Sequence, residues 1–220
     1  MDNLDADARS SHRSPSMRAP YVRPARLSDA SDIAALQARQ MIHTVERTLG
    51  RTLSTQARAH FDEAAFAAQW KEAIATSRQE NAPYAVLVLR TSESLLGFAA
   101  LAPAEQAADA PTAQSTAAAY SDFVITAFEI AQQAEALATP DGITPDGSEE
   151  TTANNTSDML LSAIVETARR YRAATLYLWL FASDRAVPAL TRYGFEPTGV
   201  HQTFTVDDAA IAQHLWKLSL

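Results

Sequence analysis

Apolar residues recur along this chain with two periods, and the switches between them mark out alternating strands and helices. Tyr21-Val22-Arg23-Pro24-Ala25 reads as a short strand whose proline marks an edge or a strand end. Leu27-Ser28-Asp29 then reads as an N-cap before Ile33, Leu36 and Ile42 at helical spacing. Asp62 and Glu63 open a second helix, in which Phe66, Trp70 and Ile74 form a core-facing stripe. The apolar runs 85–89 and 95–101, either side of Thr91-Ser92-Glu93-Ser94, predict a β-hairpin, and a third strand of this group follows at 123–130. Asp158 reads as the N-cap of the clearest helix, with Leu160, Leu161, Ile164, Val165 and Ala168 on one face and Arg169-Arg170 at its end. The unbroken apolar run 174–181 predicts a central strand covered on both faces. A short helix from Asp184, a stop at Gly194 and strands near 199–206 and 214–220 complete an α/β order of β-α-α-β-β-β-α-β-α-β-β.

Three stretches lack such periodicity. Residues 1–19 are polar and predict a disordered tail. The alanine-rich 103–119 reads as a loop or weak helix. The stretch 132–155 carries Thr139-Pro140-Asp141-Gly142 and Thr144-Pro145-Asp146-Gly147, two turn signatures, and reads as a mobile insertion within a domain spanning 20–220. With 220 residues and 47% apolar side chains, the chain has material for one sizeable core. It has no cysteine, so neither disulfides nor a thiolate zinc site is available, and no apolar run of membrane-spanning length; a cytoplasmic location is the expectation. A net charge of −8 without a Lys/Arg cluster argues against nucleic acid as a partner. Histidines 12, 43, 60, 201 and 214 show no metal-ligand spacing, and no Gly-x-Ser-x-Gly or phosphate-binding Walker loop occurs.

Three stretches together resemble the GNAT (acyl-CoA N-acetyltransferase) superfamily. They are Val22-Arg23-Pro24-Ala25 with Ser28-Asp29-Ala30, then Leu96-Gly97-Phe98-Ala99-Ala100-Leu101-Ala102-Pro103, and the run from Leu160 through Ser183-Asp184-Arg185-Ala186 to Tyr193-Gly194-Phe195-Glu196-Pro197-Thr198-Gly199. The resemblance implies a mixed central β-sheet flanked by helices and acetyl-CoA as cofactor. It also implies a thioester carbonyl polarised by main-chain N–H groups of the strand at 123–130, best supplied by Phe128 to Ile130. The pyrophosphate loop of such proteins is rich in glycine, which permits positive φ and close approach of phosphate oxygens. Here that loop would fall on Thr152-Ala153-Asn154-Asn155-Thr156-Ser157, without glycine or a basic residue. Asn155, Thr156, Ser157 and Asp158 are the expected cofactor contacts, and Asp158, capping the helix, would oppose the phosphates. Asp184 stands where the family's turn asparagine holds the pantetheine arm, and Leu190 where many members place a thiolate-protonating tyrosine; Tyr193 lies one turn further on.

Glu129, within the apolar strand and opposite in facing to Phe128 and Ile130, is the candidate base, with Asp122 at the strand entry as the other choice. A strand-end carboxylate is commonly solvated, and Tyr193, the candidate for the missing proton donor, reads better as a core residue beside Gly194. Arg39, Gln40, His43 and Glu46, on the helix that borders the acceptor site in the family, read best as a solvated face. Two functions stay open. One is an acetyl-CoA-dependent N-acetyltransferase acting on a small-molecule or protein amine. The other is a catalytically degenerate domain of the same fold, serving as a binding or interaction module, with acetyl-CoA binding weak or absent. A second copy of the chain, in a homodimer, is the remaining expected partner.

Overall fold

The computed structural model describes residues 19–104, 121–131 and 153–220, with 153–155 by backbone alone. The predicted tail, the connection 103–119 and the insertion 132–155 lie outside the described residues except at their margins.

Seven strands build one sheet in the order β1-β2-β3-β4-β5-β7-β6. They are β1 (Tyr21–Pro24), β2 (Ala85–Arg90), β3 (Leu95–Pro103), β4 (Asp122–Ile130), β5 (Thr175–Phe181), β6 (Glu196–Val206) and β7 (Ala209–Ser219). Neighbouring strands run antiparallel except β4 and β5, which are parallel, so the sheet is mixed. The helices are α1 (Ala30–Leu49), α2 (Thr55–Arg58), α3 (Glu63–Ser77), α4 (Ala153–Arg170) and α5 (Val187–Tyr193). Among the described residues the expected element order is reproduced, with two additions: a 3₁₀ turn at Leu27–Asp29 and the single-turn α2, whose Ser54 cap accepts from Ala57 N–H. No described helix is long and apolar enough to cross a membrane.

Local chemistry explains most of the boundaries. Asp62 caps α3 by accepting from Ala64 and Ala65 N–H at 2.7 and 3.3 Å. Gly194, at φ 102°, ends α5 in the left-handed conformation, and Phe195 N–H closes the turn on Leu190 C=O. Asp207 and Asp208 both take positive φ, 48° and 61°, giving the β6–β7 hairpin a two-residue turn of the twist that antiparallel strands prefer.

Three expectations are corrected. Asp29 stands at the N-cap position of α1 but its side chain makes no capping bond there; its carboxylate accepts from Arg26 N–H and from the guanidinium groups of Arg23 and Arg90. Asp158 is not an N-cap, because α4 already begins at Ala153 and carries Asp158 more than a turn inside. Along β5, only Leu176, Leu178 and Leu180 are buried, while Tyr177 and Trp179 on the other face are half-buried. Its apolar run is unbroken because that second face borders a cleft rather than a helix.

The core lies on both faces of the sheet. On one, Phe98 packs edge-on against Trp70 of α3, with ring centroids 5.1 Å apart. On the other, Leu160, Leu161, Ile164, Val165 and Ala168 of α4 are all fully buried, and Phe123 stacks on Tyr171. Each such aliphatic side chain contributes about 1.5–3 kcal/mol on burial. This packing holds the two middle strands rigidly at one end only. β4 and β5 pair from Asp122↔Thr175 to Ile125↔Leu178 and then part.

Candidate functional site

The parting of β4 and β5 opens a fork at the centre of the sheet, and a bulge in β4 sets what faces it. Ala100 pairs with Ala127 and Leu101 with Ile125, so Thr126 is an extra residue in β4. An inserted residue inverts the alternation of side chains beyond it. Phe123 and Ile125 face α4 before the bulge, whereas after it Glu129 sits opposite Phe98, on the α1–α3 face. Were the strands paired without a bulge, with Thr126 opposite Ala100, Glu129 would fall opposite Gly97 and point toward α4.

The backbone beyond the bulge is equally constrained. Ala131 N–H donates to Leu96 C=O at 2.7 Å, so the antiparallel ladder turns the N–H groups of Glu129 and Ala127 toward β3. Those of Phe128 and Ile130 therefore point into the fork. Ile130 C=O, on the same open edge, accepts from Gln40 Nε2 of α1 at 3.0 Å. Gly97, across from Ile130, lets the strands approach this closely: a Cβ there would lie 2.7 Å from Glu129 O and 2.8 Å from Ile130 Cδ1.

A cleft of about 500 Å³ fills the fork, bounded by Gln37, Met41 and Thr44 of α1, by Thr126 to Glu129 of β4, by Trp179 to Phe181 of β5, and by Phe204 and Gln213 from β6 and β7. Its two ionisable lining groups are Glu129 and Asp184. Glu129 makes no hydrogen bond among the described residues; burial, and secondarily the charge of Asp184, push its carboxyl up to about 8. Burial also raises Asp184, opposed by a hydrogen bond from Ala186 N–H (2.9 Å) and by the charge of Arg47. Both carboxyls also line a narrow passage of about 40 Å³, with Gln40, Thr44, Arg47, Ser157 and Arg185 around it. Arg47 donates to Thr44 Oγ1 at 3.2 Å and leaves a buried Nε without a partner among the described residues. A 2.5 Å hydrogen bond between Thr48 and Ser183 ties the end of α1 to the turn that carries Asp184.

The fork thus brings together Phe128, Glu129, Ile130, Asp184 and, at the passage, Ser157. It does not gather the other predicted residues. Asp122 lies at the closed, paired end of β4. Tyr193 packs against the core and lines neither cavity, and Leu190 is fully buried. Thr156 is buried within α4, and Asp158 is half-exposed, 3.7 Å from Arg192. In a helix starting at Ala153 the N–H groups from Thr156 onward are spent on the helix itself, which leaves the free donors at 153–155.

Gln40, expected on a solvated face, is instead half-buried against the β4 backbone, and Glu46 accepts from Leu53 N–H and Arg58. Arg39 and His43 are exposed as expected. Arg47, Thr44 and Arg185 went unnoticed as site residues. The only sequence signal for the first two was their spacing of four and seven from Gln40 along one helix face. Among the described residues no group of acidic residues and histidines is arranged to hold a metal ion.

No protein-family model matches the sequence, and no curated protein matches it. Solved structures do match. An N-acetyltransferase from Staphylococcus aureus Mu50 superposes with a TM-score of 0.55 at 15% identity over 92% of this chain and 99% of that one. A ribosomal-protein-alanine N-acetyltransferase from Brucella melitensis gives 0.53 at 18% identity, over 90% and 99%. A protein from Salmonella typhimurium solved with its cofactor acetyl-CoA gives 0.54 at 14% identity, over 92% and 95%. With a seven-stranded mixed sheet, a bulged β4 and a fork between β4 and β5, this chain has the fold of the GNAT acetyltransferases.

Proposed function

We propose that this protein transfers an acetyl group from acetyl-CoA to a primary amine, with Glu129 as the base. The observation that carries this reading is the bulge, which sets on the α1 side of the fork a carboxyl without a hydrogen-bond partner among the described residues and turns the N–H groups of Phe128 and Ile130 away from β3. Acetyl-CoA would supply the activated acyl group. The N–H groups of Phe128 and Ile130 are placed to donate to an oxygen that gains negative charge, at no cost in reorganisation. Glu129 accepts the proton that the amine nitrogen must lose. In the free protein its carboxyl is largely protonated at neutral pH, and an ammonium ion drawn in by Asp184 favours its ionised form. Arg47 and Arg185 at the passage, with the free N–H groups at 153–155, supply the positive potential that the loop sequence lacks. Among the described residues no tyrosine lines the cleft.

The fit has a specific weakness, and it favours the second reading, a binding module that has lost catalysis. The passage between α4 and the Asp184 turn is only about 40 Å³, and Gln40 already occupies Ile130 C=O. The two readings separate in one pair of measurements. A ligand present at 100 times its Kd adds about 2.7 kcal/mol of stability, so millimolar acetyl-CoA should raise the melting temperature. Thiol release with an amine should follow and should disappear in Glu129→Gln. A melting shift without thiol release leaves the binding module; no shift at all removes acetyl-CoA from the account.

A further inference from the structure

The acceptor side of the fork continues into a second cavity of about 640 Å³, between α1, the α2 region and the β6–β7 hairpin. Met41, Phe181, Phe204 and Gln213 line both spaces, so the second cavity adjoins the first. Its body is apolar: Val45, Phe61, Val206 and Ile211 join Met41 and the two phenylalanines. Phe204, at the rim, keeps 40% of its surface exposed, among the few large apolar side chains left so open.

Charge around the two cavities is one-sided. Among the described residues the ionisable lining groups are Glu129 and Asp184 in the fork, and Asp207, Asp208 and His60 in the second cavity, with no lysine or arginine in either lining. Asp207 accepts from Ser54 N–H at 2.6 Å and from its hydroxyl, and also meets Arg51, contacts that together hold its carboxyl below the usual carboxylate range. Asp208 is exposed beside it in the hairpin turn. A ligand carboxylate entering the second cavity would meet Asp207 and Asp208 with Arg51 already engaged by Asp207, whereas an ammonium group is favoured there and beside Asp184.

Resting on the acetyl-transfer reading for its chemistry, the geometry points to an acceptor of one class: a primary amine carried on an apolar, aromatic-sized body and bearing no carboxylate. The body occupies the second cavity among Met41, Phe181, Phe204 and Ile211, and the amine reaches Glu129 through the shared opening. Amino acids are rejected by charge. Short diamines enter but leave the apolar walls uncovered.

Phenethylamine, phenylalanine and putrescine test this in two assays: calorimetric titration of the protein without acetyl-CoA, and thiol release with it. Phenethylamine should bind and should exceed both others in kcat/KM by about tenfold or more, the discrimination an apolar pocket provides. Phe204→Ala, at an exposed rim position, should weaken phenethylamine alone by about tenfold. Ile211→Trp, filling the cavity, should abolish its binding, with the melting curve as the check on folding. Equal use of all three amines, no calorimetric binding of phenethylamine, or a folded Phe204→Ala protein unchanged toward it would each overturn the assignment. Calorimetric binding of phenethylamine that Phe204→Ala weakens, without thiol release from any amine, would keep the pocket and overturn acetyl transfer.

Discussion

Two carboxyl groups pack near α1, the buried Asp29 at its first turn and the half-buried Glu129 against its second half, and what sets them apart is their partners. Asp29 is 3% exposed, and both of its oxygens are claimed: Arg23 donates at 2.7 and 2.9 Å, Arg90 at 2.9 Å and Arg26 N–H at 2.7 Å. Burial alone would raise its proton affinity, but the hydrogen bonds of Arg23 and Arg26 and the charges of Arg23 and Arg90 outweigh it and hold the group below the usual carboxylate value. Glu129 has burial without donors and a second carboxyl for a neighbour, and titrates near 8. The same functional group is therefore a structural tie in one place and a proton acceptor in the other. Partners, not burial, decide which.

The largest effects test that division directly. Glu129→Gln should lower kcat by about 10²–10⁴, the usual worth of a general base, with a gain rather than a loss in melting temperature at neutral pH, because the neutral amide is spared the cost of ionising there. Asp29→Ala should leave the fork's chemistry intact while costing about 3–5 kcal/mol in urea unfolding, because Arg23 and Arg90 lose their buried partner. A large stability loss in the first variant or a large rate loss in a folded form of the second would erase the distinction.

Gly97→Ala comes next. Its Cβ would press on Glu129 O and Ile130 Cδ1, and relief by shifting the end of β4 should cost about 1–3 kcal/mol and disturb the donors at Phe128 and Ile130. Thermal unfolding and thiol release should both register it.

The pH dependence has opposite signs at the two sites. Glu129 binds its proton more tightly folded than unfolded, so its contribution to stability is full below about 4.5 and is lost as pH rises through about 8. Relative to Glu129→Gln, the parent protein should become steadily less stable across that window. Asp29 binds its proton less tightly when folded, so its contribution is present above the unfolded value of 3.8 and fades as pH falls through the lower folded value. Denaturation series at several pH values, run on both variants, give the two slopes.

Asp158→Ala should do least. As a partner of Arg192 at 3.7 Å on a half-exposed surface it is worth no more than about 0.5 kcal/mol, whereas an N-cap would cost about 1 kcal/mol to remove. Guanidinium unfolding at matched ionic strength resolves the two.

The strand and helix order, the buried stripe of α4, the Gly194 stop and the isolation of Glu129 in an apolar strand were all legible in the residues. Each is a local property: a period, a left-handed cap, or a charge where neighbours are apolar. The start of α4 was not legible, because Asn154, Asn155, Thr156 and Ser157 are weak helix formers locally and Asp158 looks like a cap; the helix begins at Ala153 regardless. Gln40 was misjudged for a related reason, since a polar residue on an amphipathic helix reads as solvated until a strand end with an open carbonyl is placed against it.

What the sequence determined by itself was the set of elements and their apolar faces, since these follow from periodicities of a few residues. Only the tertiary structure decided the face on which Glu129 lies, the N–H groups that stay unpaired, and the cavity beyond them. Those depend on Thr126 being one residue too many against β3, and on β5 leaving β4 after Ile125. A register shift and a lost pairing are relations between strands far apart in the chain, and no single strand's pattern records them.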